Sequence, residues 1–135
     1  MSGAPYPQPR RARDHGRIAR SILVVDDDPT FRRLARPLLA SHGLVVVAEA
    51  GSVADALSTA RRVKPASALV DVELPDGDGF ELAGQLSAMP WSLRIVVTSV
   101  RSGSDFVSEA QRNGAEAFVL KADLPRAPLG RWLAE

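Results

Sequence analysis

Ile22-Leu23-Val24-Val25-Asp26-Asp27-Asp28-Pro29 decides how the chain is read: an apolar, largely β-branched run passes directly into three consecutive carboxylates. A buried strand therefore delivers a block of negative charge to its own C-terminal end. Packed carboxylates repel and raise one another's pKa. A hard divalent cation such as Mg²⁺, which takes oxygen ligands and uses only one or two protein carboxylates, would relieve that strain. Asp28-Pro29 suits a helix start, Asp as N-cap and Pro at the first helical position. Capping needs one aspartate, so Asp26 and Asp27 call for a functional explanation.

Working outward, short apolar runs alternate with amphipathic segments, the pattern of βα units on a parallel sheet. Strands are expected at 22–25, 44–48, 67–71, 93–98 and 117–120, each apolar enough to be covered on both faces. A first helix is expected over Thr30 to Ser41, kinked by Pro37 and ended by His42-Gly43. Ser52 starts a second as N-cap, with Asp55 completing a weak capping box, and Lys64-Pro65 stops it. A third runs from Gly79 to about Ala88 and a fourth from Ser104 to Asn113, ended by Gly114. The last, Leu124 to Leu133, contains Pro125, Pro128 and Gly130 and should be short or start late. The reading is an α/β fold with a small, doubly wound, five-stranded parallel sheet.

The length of 135 residues suits one domain able to bury a core without disulfides or a structural metal. Cysteine is absent, which excludes disulfide frameworks, thiolate zinc sites and cysteine nucleophiles. The polar start and the lack of any apolar run near ~20 residues argue against a signal peptide or membrane span, so a cytoplasmic protein is expected. Net charge is +1 but uneven. Residues 1–20 carry five arginines against Asp14, a net +4, leaving −3 for the remainder. Residues 1–19 read as a disordered Pro/Arg-rich tail and 20–135 as the folded domain.

Ligands of open α/β sheets bind beyond the carboxyl ends of the strands. Polar residues fall there repeatedly: Asp26-Asp27 after the first strand, Asp71 after the third, Thr98 after the fourth and Lys121 after the fifth. Each has an ordinary explanation alone, as a turn aspartate, a β-branched strand residue or a solvated lysine. Together they suit phosphoryl transfer, which needs a nucleophile, a metal ion across phosphate oxygens, and donors or cations for the charge in flight. Asp71 is the natural nucleophile, since carboxylates form aspartyl-phosphates and Asp26 and Asp27 are paired for metal.

Four segments, in order and spacing, resemble the receiver domain of two-component response regulators. They are the opening run quoted above; Leu69-Val70-Asp71-Val72-Glu73-Leu74-Pro75-Asp76-Gly77-Asp78-Gly79; Ile95-Val96-Val97-Thr98-Ser99; and Gly114-Ala115-Glu116-Ala117-Phe118-Val119-Leu120-Lys121. The resemblance covers about residues 21–135. It implies the flavodoxin-like (βα)5 fold with strand order 2-1-3-4-5. It further implies that Asp71 accepts a phosphoryl group from a histidine kinase or phosphotransfer protein. Mg²⁺ would be held by Asp27, Asp71 and the main-chain carbonyl of Glu73, with Asp26 acting through water. Thr98 and Lys121 would stabilise the phosphoryl group, and Phe118 would be the switch aromatic. The face of helix four, strand five and helix five would read out the change, to a downstream protein target or a second copy in a homodimer.

Ala122 follows Lys121 where the family usually has proline, so a trans peptide is expected there. Glu73 lies at a position that tunes phosphoryl lifetime in the family. Asp26-Asp27-Asp28-Pro29-Thr30 also matches the Asp-x-Asp-x-Thr motif of haloacid-dehalogenase-like phosphohydrolases, a Mg²⁺-dependent alternative. That reading lacks a later acidic metal motif and leaves Asp71 unexplained. A receiver-like module that binds proteins without phosphorylation is the other alternative. With no output domain in the sequence, a stand-alone receiver is expected. It would be no enzyme beyond its own phosphorylation and dephosphorylation, and would bind neither DNA nor membrane.

Overall fold

The computed structural model describes residues 20–135. The tail expected at 1–19 lies outside the described residues. Five parallel strands form the sheet: β1 (Ser21–Val25), β2 (Val45–Ala50), β3 (Ser67–Asp71), β4 (Arg94–Ser99) and β5 (Ala117–Leu120), in the order β2-β1-β3-β4-β5. Helices α1 (Pro29–Ala40), α2 (Val53–Val63), α3 (Gly79–Ser87), α4 (Phe106–Arg112) and α5 (Leu129–Leu133) make the crossovers and the C-terminal close. This is the flavodoxin-like (βα)5 architecture.

Side chains alternate across a strand, and the core divides accordingly. Leu23 and Val25 of β1, Ala68 and Val70 of β3, and Ile95 and Val97 of β4 pack with α2, α3 and α4 residues such as Ala56, Leu82, Leu86 and Ala110. Ile22, Val24, Leu69, Val96 and Val119 face the other way, against Ala35 and Leu39 of α1 and Leu129 and Leu133 of α5. Both central strands are buried throughout, which is why they read as unbroken apolar runs.

Boundaries differ where a local interaction outweighs the pattern. β2 runs to Ala50, past the expected end at 48, because Glu49 is neutralised at the sheet edge by Arg32 and Arg36. β4 ends at Ser99, so Thr98 is its penultimate residue. α1 starts and ends one residue earlier than expected, at Pro29 and Ala40, and runs through Pro37 as expected. Only half of the expected capping box forms: Ser52 Oγ accepts from Asp55 N–H at 3.1 Å, while Asp55 faces Thr59. α4 begins two residues late, at Phe106. The last segment opens as a 3-10 helix over Lys121–Arg126 and becomes α-helical only past Pro128, since proline removes the donors an α-helix would need there.

Candidate phosphoacceptor and metal site

The two-residue alternation that divides the core also builds the site. Carried to the strand ends, and one step past β1 and β5, it puts Asp26 in phase with Ile22 and Val24, and Asp71 with Leu69. Thr98 falls in phase with Val96, and Lys121 with Val119. All four belong to the α1/α5 side of the sheet's carboxyl edge. Asp71 and Thr98 are also partners in the β3–β4 register.

Asp26 is 1% exposed. Its Oδ1 accepts from the N–H of Asp28 at 2.9 Å. Oδ2 has no aligned hydrogen bond, and what faces it is the Lys121 ammonium at 2.6 Å. The same ammonium stands 3.7 Å from Asp71 Oδ1 and 4.2 Å from the centre of the Phe31 ring. Asp71 is buried and Asp27 exposed. One carboxylate oxygen from each of Asp26, Asp27 and Asp71 lies within 4.8 Å of the others. The fit to a hard divalent ion is good: opposed oxygens in an octahedral Mg²⁺ shell stand about 4.2 Å apart, and the buried Oδ2 has only one cation facing it.

Burial pushes the Asp71 carboxyl up, the charge of Asp26 adds to this, Lys121 opposes it, and Asp27 and Glu73 raise it further, to about 6. An unmetallated site is therefore under electrostatic strain at neutral pH. Asp28 does what its position suggests, accepting from Thr30 N–H at 2.9 Å as the α1 N-cap. The Asp-x-Asp-x-Thr stretch is thus divided between a buried, lysine-paired carboxylate and a helix cap.

The loop after Asp71 is held firmly. Val72 N–H donates to Thr98 O at 2.9 Å, and Glu73–Leu74 pairs antiparallel with Gly77–Asp78. Asp76 accepts from Val53 and Ala54 N–H at 2.7 and 3.0 Å, tying this loop to the start of α2; the Ala54 and Val53 bonds hold its carboxyl below the usual value. Gly79 N–H donates to Val72 O at 2.7 Å, and a Cβ on Gly79 would overlap the carbonyl oxygen of Asp71. Glu73 is exposed, and its carboxylate forms an ion pair with Arg101 across the mouth of the site.

Thr98 is fully buried, and its hydroxyl donates to Val119 O at 2.7 Å. Phe118, in the opposite phase, meets Phe106 edge-on at 5.2 Å, and Phe106 meets Phe80 of α3 in the same way. The structure therefore brings Asp26, Asp27, Asp71 and Lys121 into one cluster, with Thr98 on the adjoining strand and Phe118 behind it. Sequence reasoning missed Gly79, Phe106, Arg32 and Arg101. Gly79 had a visible signal in Asp76-Gly77-Asp78-Gly79, whereas the others depend on contacts between distant segments.

Comparison with known proteins agrees with this geometry. The response regulator receiver domain family matches residues 22–126. The chain is 37% identical over 101 residues to the DNA-binding transcriptional activator DevR/DosR of Mycobacterium tuberculosis, covering 74% of this chain and 46% of that protein. It is 29% identical over 104 residues to the chemotaxis protein CheY of Bacillus subtilis, covering 77% and 87%. It also superposes on a LuxR-family two-component response regulator from Aurantimonas sp. SI85-9A1 with TM-score 0.72 and 31% identity, covering 78% and 76%. The chain spans about half the length of several curated relatives it matches. No helix among the described residues is long and apolar enough to cross a membrane.

Proposed function

Because the chain belongs to the response regulator receiver domain family, we propose that it accepts a phosphoryl group on Asp71 from the phosphohistidine of a histidine kinase or phosphotransfer protein, and thereby switches a downstream protein. The observation that carries this reading is the Lys121 ammonium placed between Asp26 and Asp71 inside a three-carboxylate cluster.

In the transfer, an Asp71 carboxylate oxygen attacks phosphorus, the O–P bond forms as the P–N bond breaks, and the donor imidazole leaves with the bonding pair and is protonated. Mg²⁺, held by Asp27, Asp71 and the Glu73 carbonyl, with Asp26 acting through water, would offset charge on the phosphoryl oxygens. Lys121 is positioned to pair with the transferred group, and burial keeps the acyl phosphate apart from bulk water. The phosphorylated side chain carries about −1.5 to −2 charge in place of the carboxylate's single negative charge, and draws the Thr98 hydroxyl and Lys121 toward it. A population shift follows, in which Phe118 moves and the α4-β5-α5 face changes for a target or a second copy. The chemistry is confined to the protein's own carboxylate, which is phosphorylated by a phosphohistidine or a small acyl phosphate and dephosphorylated in place. We assign this activity to the cytoplasm, where such donors reside.

The test is NMR of Thr98 and Phe118 during incubation with Mg²⁺ and acetyl phosphate or beryllofluoride, with Asp71→Asn as control. A Mg²⁺-dependent shift absent from the variant is expected. A folded protein with no shift would overturn the phosphoryl switch and leave phosphorylation-independent binding.

A further inference from the structure

Two arginines of α1 converge on one carboxylate of β2, but they are not equivalent. Arg32 Nε donates to Glu49 Oε1 at 2.9 Å, and Arg36 Nε donates to Oε2 at 2.8 Å. Only Arg32 goes further: its Nη1 donates to the main-chain carbonyl of Asp26 at 2.5 Å. The Arg32 side chain is 20% exposed, against 51% for Arg36. Its guanidinium packs beside Gly51, where a Cβ would touch Arg32 Nη1, Asp27 Cα and Asp26 O together.

The carbonyl that Arg32 grips belongs to the peptide joining Asp26 to Asp27. That unit is planar, so fixing its oxygen fixes the direction in which the Asp27 backbone leaves. Asp26 has other anchors, Asp28 N–H and Lys121. Among the described residues, no hydrogen bond orients the Asp27 carboxylate, so its aim depends on its backbone. A rigid guanidinium fork held on one side by Glu49 suits that task, and a lysine could not span both anchors.

We propose that Arg32, locked by Glu49, is a positioning residue for the metal-binding carboxylate of Asp27. The proposal rests on the Mg²⁺ reading above and makes a prediction opposite in sign to simple charge. Removing a cation near a Mg²⁺ site should tighten binding by Coulomb's law, whereas removing a positioning group should weaken it.

Isothermal titration of the full chain with MgCl₂, alongside thermal melts, separates the two for wild type, Arg32→Met, Arg32→Lys, Glu49→Gln and Arg36→Met. Loss of an outer-shell partner typically weakens metal binding at least tenfold. About that loss is expected for both Arg32 variants, with a smaller loss for Glu49→Gln and a change within about twofold for Arg36→Met. Lysine keeps the charge, so its failure to rescue is part of the result. Unchanged or tighter Mg²⁺ binding in folded Arg32→Met would overturn the proposal, as would an equal loss in Arg36→Met. If Arg32→Met does not fold, wild-type affinity in Arg32→Lys and Glu49→Gln would overturn it. Absence of any Mg²⁺ heat in the wild type would instead sink the metal reading and this inference with it.

Discussion

The raised pKa of Asp71 makes the acceptor a source of instability until something binds it. Its carboxyl titrates near 6 in the folded protein against 3.8 for a free group, with burial as the main cause and Asp26 next. The folded state therefore holds that proton more tightly than the unfolded chain. The stability this provides is complete below pH 3.8 and is lost as pH rises through 6. Each pKa unit corresponds to ~1.36 kcal/mol, and allowance for solvent screening leaves about 1–2 kcal/mol. Asp71→Asn should raise the stability of Mg²⁺-free protein by that amount at pH 7.5 in urea melts, with the gain vanishing by pH 4. An equal gain at both pH values would show that the strain is not electrostatic. Residues of this kind were legible in the sequence because a charge interrupting an apolar strand is a local signal. Arg32 was not, because an arginine on an amphipathic helix looks like solvated surface until β2 brings Glu49 beside it. In Glu49 itself, burial pushes the carboxyl up, but the Arg32 and Arg36 hydrogen bonds and charges hold it below its usual value.

Among the elements, α3 is the one most tightly tied to the acceptor. Its first residue, Gly79, packs on the Asp71 carbonyl so closely that no side chain fits, and Asp78 caps the helix through Phe80 N–H at 2.7 Å. Gly79→Ala must push either the helix or the end of β3 away. Overpacking of this sort costs about 1–3 kcal/mol, and the backbone on one side of the clash suggests the upper end. Denaturant melts should show that loss, and beryllofluoride binding should weaken with it. Wild-type behaviour in both would mean that the close approach is not maintained in solution. The strands and helices themselves were legible, because the 2-residue and 3.6-residue periods are strong in β1, β3, α1 and α2. The C-terminal segment was legible only as an anomaly. Three helix-breaking residues indicated a short or late helix, and the 3-10 opening over Lys121–Arg126 that accompanies Pro125 also buries Leu124 in the same layer as Leu129 and Val119. The late start of α4 has a similar origin. Gly103 lies against the Phe106 ring, so the chain turns there to seat the aromatic before the helix begins.

Across the whole molecule, the two core layers meet at a hydrogen bond between β4 and β5. Thr98 belongs to the acceptor side and Phe118 to the other, and the Thr98 hydroxyl is donated to Val119 O, the residue that follows Phe118. That bond joins the site's hydroxyl to the strand bearing the aromatic. In the proposed switch, phosphorylation of Asp71 would let the hydroxyl exchange this neutral acceptor for a charged phosphoryl oxygen. Hydrogen bonds to charged groups contribute about 1.5–3 kcal/mol, against about 1 for neutral ones. The exchange therefore favours the switched state by about 1 kcal/mol, a several-fold change in population. β5, still paired with β4, would lose that side-chain tie to Thr98, and Phe118 could part from Phe106. Thr98→Val keeps the shape and removes the donor. The variant should still take beryllofluoride on Asp71, because the carboxylates and Lys121 are untouched, and chemical shifts at Asp27 and Val72 should move as in the wild type. Shifts at Phe118 and along α4 should shrink several-fold. If Phe118 responds fully in Thr98→Val, the layers are coupled by another route, and Lys121, two residues past Val119 and paired with both Asp26 and Asp71, becomes the group through which β5 senses the phosphoryl charge.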